Sequence, residues 1–130
     1  MIVVDASVVG QALIDEERFG DRARERLGNE SLTAPALIDL EVLSILKGAT
    51  RAGTLDERTA RDAIAEFLAM PLTRVPHVAL LPRIWQLRHN LSVYDASYVA
   101  LAEAIDAPLL TADRPIAATP GVRCEVELIG

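Results

Sequence analysis

The sequence is poor in several residue types that would point to a particular class of protein. It has one cysteine, Cys124, which excludes an internal disulfide and is typical of a reducing cytoplasm. Aromatic residues make up only 4% of the chain, so leucine, valine, isoleucine and alanine have to build the core. No apolar run approaches the length of a membrane span, and no basic leader precedes the first apolar segment. These absences predict a cytoplasmic protein without a membrane segment.

Lysine is also nearly absent, because Lys47 is the only lysine among the 13 basic residues and the others are arginines. The net charge of −6 argues against a broad basic surface for nucleic acid. That objection weakens if four of the 19 acids bind a metal, which leaves 15 acids against 13 basic residues. Arginine is moreover the better bidentate partner for phosphate.

Length and patterning predict one α/β domain over residues 1–130, with no repeat or linker to divide it. Strand-like runs occur at 2–5, 32–34, 73–75, 109–111 and 124–129. Segments with helical spacing lie between them at 7–14, 16–28, 36–51, 56–69, 79–89 and 93–106. Short buried strands that alternate with helices predict a parallel sheet covered on both faces. Ligands of such sheets bind beyond the carboxyl ends of the strands.

Four acidic residues lie in apolar surroundings, whereas most other acids lie in polar stretches such as "LDERTARDAIAE". Asp5 follows the run "IVV", and Asp113 follows "PLLTA". Glu41 lies inside "ALIDLEVLSIL", a helical segment that is apolar on nearly every side, and Asp95 stands near the start of "VYDASYVALAEA". A buried carboxylate is costly unless it is paired, hydrogen-bonded or bound to a metal.

Each of these acids also has an ordinary structural interpretation. Asp5 or Ser7 can cap the first helix, and Asp95 stands three residues after a serine, as in a capping box. Asp113 precedes an Arg-Pro pair and is compatible with a turn or with the cap of a short helix. A buried pair with an arginine is the main alternative for Glu41.

Taken together, the four acids favour a metal site. Two of them end strands and two lie on helices, and a parallel fold can bring these four points to one crevice. Clustered carboxylates repel one another without a cation, whereas Mg²⁺ or Mn²⁺ prefers oxygen ligands. A bound ion of this kind lowers the pKa of its water and stabilises charge on a phosphate. The pattern therefore suggests phosphodiester hydrolysis.

The segments "IVVDAS", "DLEVLSIL", "NLSVYDASYVALAE" and "APLLTAD", in this order, resemble a PIN-domain ribonuclease. More specifically, the sequence is similar to the VapC-type toxins of bacterial type II toxin–antitoxin pairs, and the resemblance extends over essentially the whole chain. It implies a three-layer α/β/α domain around a central parallel sheet. It also implies a Mg²⁺-dependent endoribonuclease, with Mn²⁺ able to substitute, which cleaves single-stranded regions of tRNA or rRNA by a metal-activated water.

The resemblance assigns roles to individual residues. It implies a catalytic quartet formed by Asp5, Glu41, Asp95 and Asp113. The resemblance further implies that Asp5 and Asp95 are the most direct metal ligands and that the other two acids complete the site directly or through water. Ser7 and Thr111 match small hydroxyl positions that support the carboxylates, which is a common role around metal sites.

The resemblance also implies partners, namely RNA, a second copy of the chain in a homodimer, and a cognate VapB-type antitoxin. Such an antitoxin packs its tail into a groove and can place a basic residue among the acids. The helices at 7–14 and 16–28 and the apolar face of 56–69 can supply a partner groove or dimer face. Ordinary core packing is the alternative for these faces.

Basic residues that can contact phosphate include Arg114, which adjoins Asp113 and can instead form an ion pair with it. The further candidates are Lys47, Arg51, Arg83 and Arg88. Trp85 falls between apolar neighbours and is expected in the core rather than in a base-stacking platform.

Two other functions remain as alternatives. A metal-dependent phosphatase or phosphotransferase of the haloacid-dehalogenase kind also places an aspartate after its first strand, but it needs a second acid at the position of Ser7. A PIN-like module that binds partners without cleaving RNA is the other alternative, and the presence of all four acids argues against it. A receiver domain requires a lysine after a late strand, whereas Lys47 lies in a helix; glycine-rich nucleotide motifs are absent.

Overall fold

The computed structural model describes residues 1–130 and contains one sheet of five strands. The strands are β1 (Ile2–Val4), β2 (Leu32–Pro35), β3 (Leu72–Val75), β4 (Leu109–Thr111) and β5 (Val126–Leu128). Their order across the sheet is β3-β2-β1-β4-β5, and every neighbouring pair is parallel. The predicted parallel sheet is confirmed.

Seven helices connect and flank the strands. They are α1 (Ala6–Ile14), α2 (Arg18–Leu27), α3 (Ile38–Arg51), α4 (Glu57–Ala69), α5 (Leu81–Leu87), α6 (Val93–Ile105) and α7 (Arg114–Ala117). A 3-10 turn at Val78–Leu80 leads into α5. None of these helices is long and apolar enough to cross a membrane.

The helices form two layers, one on each face of the sheet. Helix α1 packs against α2, α3 and α4, whereas α5 packs against α6 and α6 crosses β1, β2 and β4. Helices of one layer connect the strands from β1 outwards to β3, and helices of the other layer bring the chain back to β4. The strand order therefore reverses between β1 and β4, and a crevice opens beyond the carboxyl ends of these two strands. The three-layer α/β/α architecture is confirmed.

The core explains why β1 and the middle of α6 are rich in apolar residues. All three residues of β1 are at most 1% exposed, because helices cover both faces of the central strand. In α6 the buried run extends from Ala96 to Ala102, and its alanines allow the helix to lie close to the sheet. Burial of these segments removes their apolar surface from water, and this removal drives folding.

The observed ends of the elements differ from the predicted ones by at most two residues. The last strand begins at Val126 rather than at residue 124, so Cys124 lies just before it. Burial, together with the charge of Glu103, raises the pKa of the Cys124 thiol to about 11, which favours the protonated thiol over the nucleophilic thiolate. The short helix α7 contains Arg114 and Pro115, a segment for which the sequence allowed either a turn or a short helix.

Two surface residues also differ from expectation. Trp85 is 63% exposed and stacks on the guanidinium of Arg88, with 4.1 Å between its ring centroid and Cζ, so its predicted core position is wrong. Arg83 is not free for phosphate, because its guanidinium pairs with the Glu103 carboxylate at 2.7 Å and donates to the Gly121 carbonyl.

Candidate active site

Asp5 follows β1 directly and occupies the N-cap position of α1 with an extended backbone. Its side chain makes no capping hydrogen bond, so capping does not explain this carboxylate. Instead, Oδ2 accepts hydrogen bonds from the hydroxyls of Ser7 at 3.0 Å and Thr111 at 2.7 Å. Asp5 is only 7% exposed, and both donors hold it in one orientation at the end of the strand.

The hydroxyls of Ser7 and Thr111 also tie Asp5 to the loop after β4. Ser7 Oγ accepts from the backbone N–H of Ala112, and Thr111 Oγ1 accepts from the backbone N–H of Asp113. Ser7 lies inside the first turn of α1 and is not its cap, contrary to one of the sequence-based alternatives. Each hydroxyl thus links the ends of two neighbouring strands, so the position of Asp5 is coupled to that of Asp113.

Asp95 and Asp113 both lie at the start of a helix, but neither carboxylate caps it. Ser92 caps α6 by accepting a hydrogen bond from the backbone N–H of Asp95, which leaves the Asp95 side chain free. Asp113 precedes α7 and makes no side-chain capping bond. The serine therefore fulfils the capping role, and both carboxylates can face the crevice.

Glu41 lies in the first turn of α3 and accepts a hydrogen bond from the Tyr98 hydroxyl, with 2.6 Å between the oxygens. It forms no ion pair, so the alternative of a buried pair with arginine is wrong. Tyr98 is fully buried on α6, one turn after Asp95. Tyr98 is not among the site residues predicted from the sequence, although the three-residue spacing in "DASY" places it on the same side of the helix as Asp95.

The four acids line one concavity of about 290 Å³, which we call the acid pocket. Its lining residues are Asp5, Ala6, Ser7, Glu41, Ser44, Ile45, Asp95 and Asp113. No basic side chain is among them. Four carboxylates therefore share a small volume at the carboxyl end of the sheet without a counterion from the protein.

Burial raises the pKa values of three carboxyls in the acid pocket, those of Asp5, Glu41 and Asp95. Burial raises the pKa of Asp5, against the hydrogen bonds from Thr111 and Ser7. Burial also raises the pKa of Glu41, and the charges of Asp5 and Asp95 raise it further, whereas the hydrogen bond from Tyr98 lowers it. For Asp95, burial raises the pKa most, followed by the charges of Asp5 and Asp113. Such a group of carboxylates is stabilised by a cation.

The donor set of the acid pocket fits Mg²⁺ or Mn²⁺, because it contains only carboxylate and hydroxyl oxygens. The carboxylates are spread around the pocket, and no three of them lie close enough to bind one ion at once. Mg²⁺ keeps several waters and uses only one or two protein carboxylates directly.

Among the basic residues considered for phosphate contact, Arg114 is exposed in the first turn of α7, directly after Asp113. It makes no ion pair, so the alternative of a pair with Asp113 does not occur. Lys47 and Arg51 are likewise exposed and unpaired on α3. The free positive charge around the acid pocket is therefore sparse.

The family model described as PIN domain matches residues 2–122. This chain belongs to the PIN domain family. The matched region contains all four acids of the acid pocket, together with Ser7 and Thr111.

A VapC ribonuclease of Mycobacterium bovis is 40% identical over 129 residues, which cover 99% of this chain and 98% of that relative. The chain is therefore a VapC-type member of the family. The structure of VapC20 from Mycobacterium tuberculosis, described as a toxin that cleaves the sarcin-ricin loop, superposes with a TM-score of 0.64 at 19% identity over 84% of this chain and 87% of that chain. The VapBC2 structure from Rickettsia felis, bound to a DNA fragment from its promoter, gives a TM-score of 0.70 at 13% identity over the full length of both chains. These two structures share the fold.

Proposed function

We propose that this VapC-type protein is a metal-dependent endoribonuclease that acts as the toxin of a type II toxin–antitoxin pair. The observation that carries the proposal is the acid pocket, in which four carboxylates face one another without a basic partner. Such an arrangement is costly for stability and becomes favourable when a divalent cation binds. Its position beyond the carboxyl ends of β1 and β4 is where parallel α/β sheets bind their ligands.

In this proposal Asp5 and Asp95 hold Mg²⁺ directly, and Glu41 and Asp113 hold it directly or through water. When bound, the ion supplies an activated water and neutralises charge on the phosphate. Ser7 and Thr111 fix the Asp5 carboxylate through Oδ2, which leaves Oδ1 free for a ligand. A carboxylate that holds no ion can accept a proton from the attacking water.

We further propose that the substrate is a single-stranded region of RNA in tRNA or rRNA. The similarity to VapC20, whose description names cleavage of the sarcin-ricin loop, supports this substrate class. Arg114 is the proposed phosphate contact beside the acid pocket, because it follows Asp113 and makes no ion pair.

A VapB-type antitoxin is the proposed regulatory partner, as in the Rickettsia felis complex. An apolar groove of about 470 Å³ lies between α1, α2, α4 and the neighbouring strand ends. Its lining includes Leu13, Leu27, Ala69 and Met70, together with the charged Arg24. The sequence predicted a partner groove or dimer face on these three helices, but Ala60, Ala63 and Phe67 of the apolar face of α4 are buried in the protein. The remaining groove is a surface that a hydrophobic antitoxin segment fits. The homodimer and the cytoplasmic location remain predictions from the sequence.

RNA cleavage tests the catalytic proposal. Total RNA is incubated with the wild-type protein in Mg²⁺ or Mn²⁺, with an EDTA control, and beside Asp5→Asn. Asp62→Asn is the matched control, since it makes the same charge change at an exposed position of α4. We expect cleavage by wild type and Asp62→Asn only, and only with metal. Cleavage that persists in EDTA or in Asp5→Asn would contradict the mechanism.

Expression in cells tests the toxin role separately. We expect growth arrest that is relieved by the product of the neighbouring gene, and we expect Ala69→Arg to escape this relief because it fills the groove. Ala65→Arg, on an exposed part of the same helix outside the groove lining, is the control that remains neutralised. Harmless expression of a protein that still cleaves RNA would leave a nuclease without a toxin role. Normal metal binding without RNA cleavage would instead favour a non-catalytic module or a phosphatase.

A further inference from the structure

The protein has few free positive charges with which to hold RNA near the acid pocket. Its net charge is −6, the pocket itself carries four carboxylates, and Arg83 is engaged by Glu103. Contacts to phosphate supply most of the affinity in ordinary nucleic-acid binding, and acidic surroundings oppose them. An RNA strand bound here therefore needs contacts that do not depend on charge.

An apolar surface of this kind adjoins the acid pocket. A hollow of about 260 Å³, which we call the apolar hollow, is lined by Leu37, Leu40, Glu41, Ser44 and Tyr94. Glu41 and Ser44 also line the acid pocket, so the two concavities share a wall. A ligand that reaches from one to the other crosses only this wall.

Two side chains of the apolar hollow, Tyr94 and Leu40, are unusually exposed for their type. Tyr94 directly precedes Asp95 in the first turn of α6 and is 61% exposed, and Leu40 directly precedes Glu41 on α3 and is 72% exposed. The Tyr94 hydroxyl makes no hydrogen bond within the protein, and its ring is not needed for the core. Exposed apolar groups in such a cluster mark binding surfaces.

We propose that the apolar hollow binds one nucleobase of the RNA, with Tyr94 as its stacking platform and Leu40 as its apolar side. The inference rests on the proposed ribonuclease function and adds a substrate subsite to it. The bases on either side of a phosphate bound in the acid pocket belong to the adjoining nucleotides. Only the shared wall of Glu41 and Ser44 separates such a phosphate from a base in the apolar hollow. Base stacking is uncharged, so it is available beside four carboxylates where further phosphate contacts are not.

Single-stranded RNA fits this subsite better than a duplex does. A stacking platform needs a base that is free of its own neighbours, and unpaired bases in loops and ends supply it. Every base has a face that stacks on an aromatic ring, so the subsite selects for strandedness more than for sequence. Tyr94 is thus a specificity-determining residue that contacts substrate.

The test combines Tyr94→Ala with RNA that lacks single bases. Short single-stranded RNA oligonucleotides that the wild type cleaves are remade with an abasic nucleotide at each position around the cut. Binding is measured by fluorescence anisotropy in the Asp5→Asn background with Mn²⁺. We expect Tyr94→Ala to weaken binding by about 5- to 150-fold, which is the range of one base stack. Tyr94→Phe is expected to retain binding, because the ring does the stacking.

RNA with an abasic nucleotide at one particular position is expected to bind more weakly, by a similar factor, to the protein that retains Tyr94. The same abasic RNA is expected to bind the Tyr94→Ala variant as strongly as the intact RNA does. Trp85→Ala is the control, since Trp85 is 63% exposed and lies outside both concavities, and its binding is expected to change less than twofold. Circular dichroism spectra of all variants are expected to match, because neither ring belongs to the core.

Four results would overturn the proposal. Undiminished RNA binding by Tyr94→Ala would remove the subsite while metal-dependent cleavage still supports the ribonuclease. Additive losses from Tyr94→Ala and from every abasic position would show that no base contacts this ring. A fall in the mass of a dimer on Tyr94→Ala, with binding restored at higher protein concentration, would assign the hollow to a second copy of the chain. Absence of RNA cleavage by the wild type would overturn both this inference and the proposed function.

Discussion

The hydrogen bond from Tyr98 to Glu41 yields a prediction whose size follows from burial. Tyr98→Phe removes only the hydroxyl, which donates to Glu41 Oε1 at 2.6 Å from a fully buried ring. Burial and the neighbouring Glu41 raise the pKa of Tyr98, so the hydroxyl stays protonated and remains a donor. A hydrogen bond to a charged group contributes about 1.5–3 kcal/mol. Glu41 is only half-buried, so water can replace the lost donor, and we expect the lower end of this range.

The expected loss is therefore about 1.5 kcal/mol in the free energy of unfolding without metal, measured by urea denaturation. We also expect Mn²⁺ affinity, measured by titration calorimetry, to fall by about tenfold, because Glu41 loses the contact that orients it. Tyr94→Phe is the matched control, since the other tyrosine of the chain is exposed and its hydroxyl has no protein partner. It should change neither quantity.

A double-mutant cycle decides whether the two residues act together. In the Glu41→Ala background, Tyr98→Phe should have a much smaller effect on stability and none on Mn²⁺ affinity. Additivity of the two substitutions within about 0.5 kcal/mol would refute the reasoning, because independent sites behave in that way. Unchanged metal affinity in Tyr98→Phe would refute it as well, since a purely structural tyrosine would affect stability alone.

Three further predictions concern stability. Asp5→Asn should stabilise the metal-free protein by about 0.5–2 kcal/mol in thermal unfolding, since an amide still accepts from the two hydroxyls and its burial costs less; destabilisation would contradict this. Arg83→Ala should cost about 2–4 kcal/mol, because it leaves Glu103 partly buried and unpaired. Burial raises the pKa of Glu103, but the hydrogen bonds from Arg83 and from the Arg123 backbone outweigh burial and lower it. The contribution of the ion pair to stability is therefore present above pH 4.5 and is lost as the pH falls through the lowered pKa. An Arg83→Ala variant whose stability follows the wild-type pH profile would contradict this prediction. Gly20→Ala should destabilise by about 1–3 kcal/mol, since its Cβ would lie 1.8 Å from a backbone carbonyl, whereas Gly48→Ala in open space on α3 should stabilise by about 0.5–1 kcal/mol; equal effects in urea unfolding would refute the steric reasoning.

Local patterns were sufficient to predict most elements of the fold. The apolar run before Asp5 and the alternation of short strands with helices identified a parallel sheet, because strands covered on both faces need continuous apolar residues. Errors occurred where packing decides exposure. Trp85 stands among apolar neighbours in sequence but points outward from α5, and α3 exposes Leu40 although its sequence suggested a helix buried on nearly every side. An apolar pattern on nearly every side of a helix therefore also occurs where one side of the helix is an exposed apolar surface.

The amino-acid sequence alone identifies the carboxylates that stand in apolar surroundings. Asp5, Glu41, Asp95 and Asp113 stand in apolar surroundings, and burial of a charge is too costly to occur four times without a reason. Their common location also followed from sequence, since carboxyl ends of parallel strands lie at one edge of the sheet. Their hydrogen-bond partners, in contrast, depend on the tertiary structure. Thr111 reaches Asp5 across 106 positions of the chain and Tyr98 reaches Glu41 across 57, and contacts so distant in sequence depend on how the layers pack.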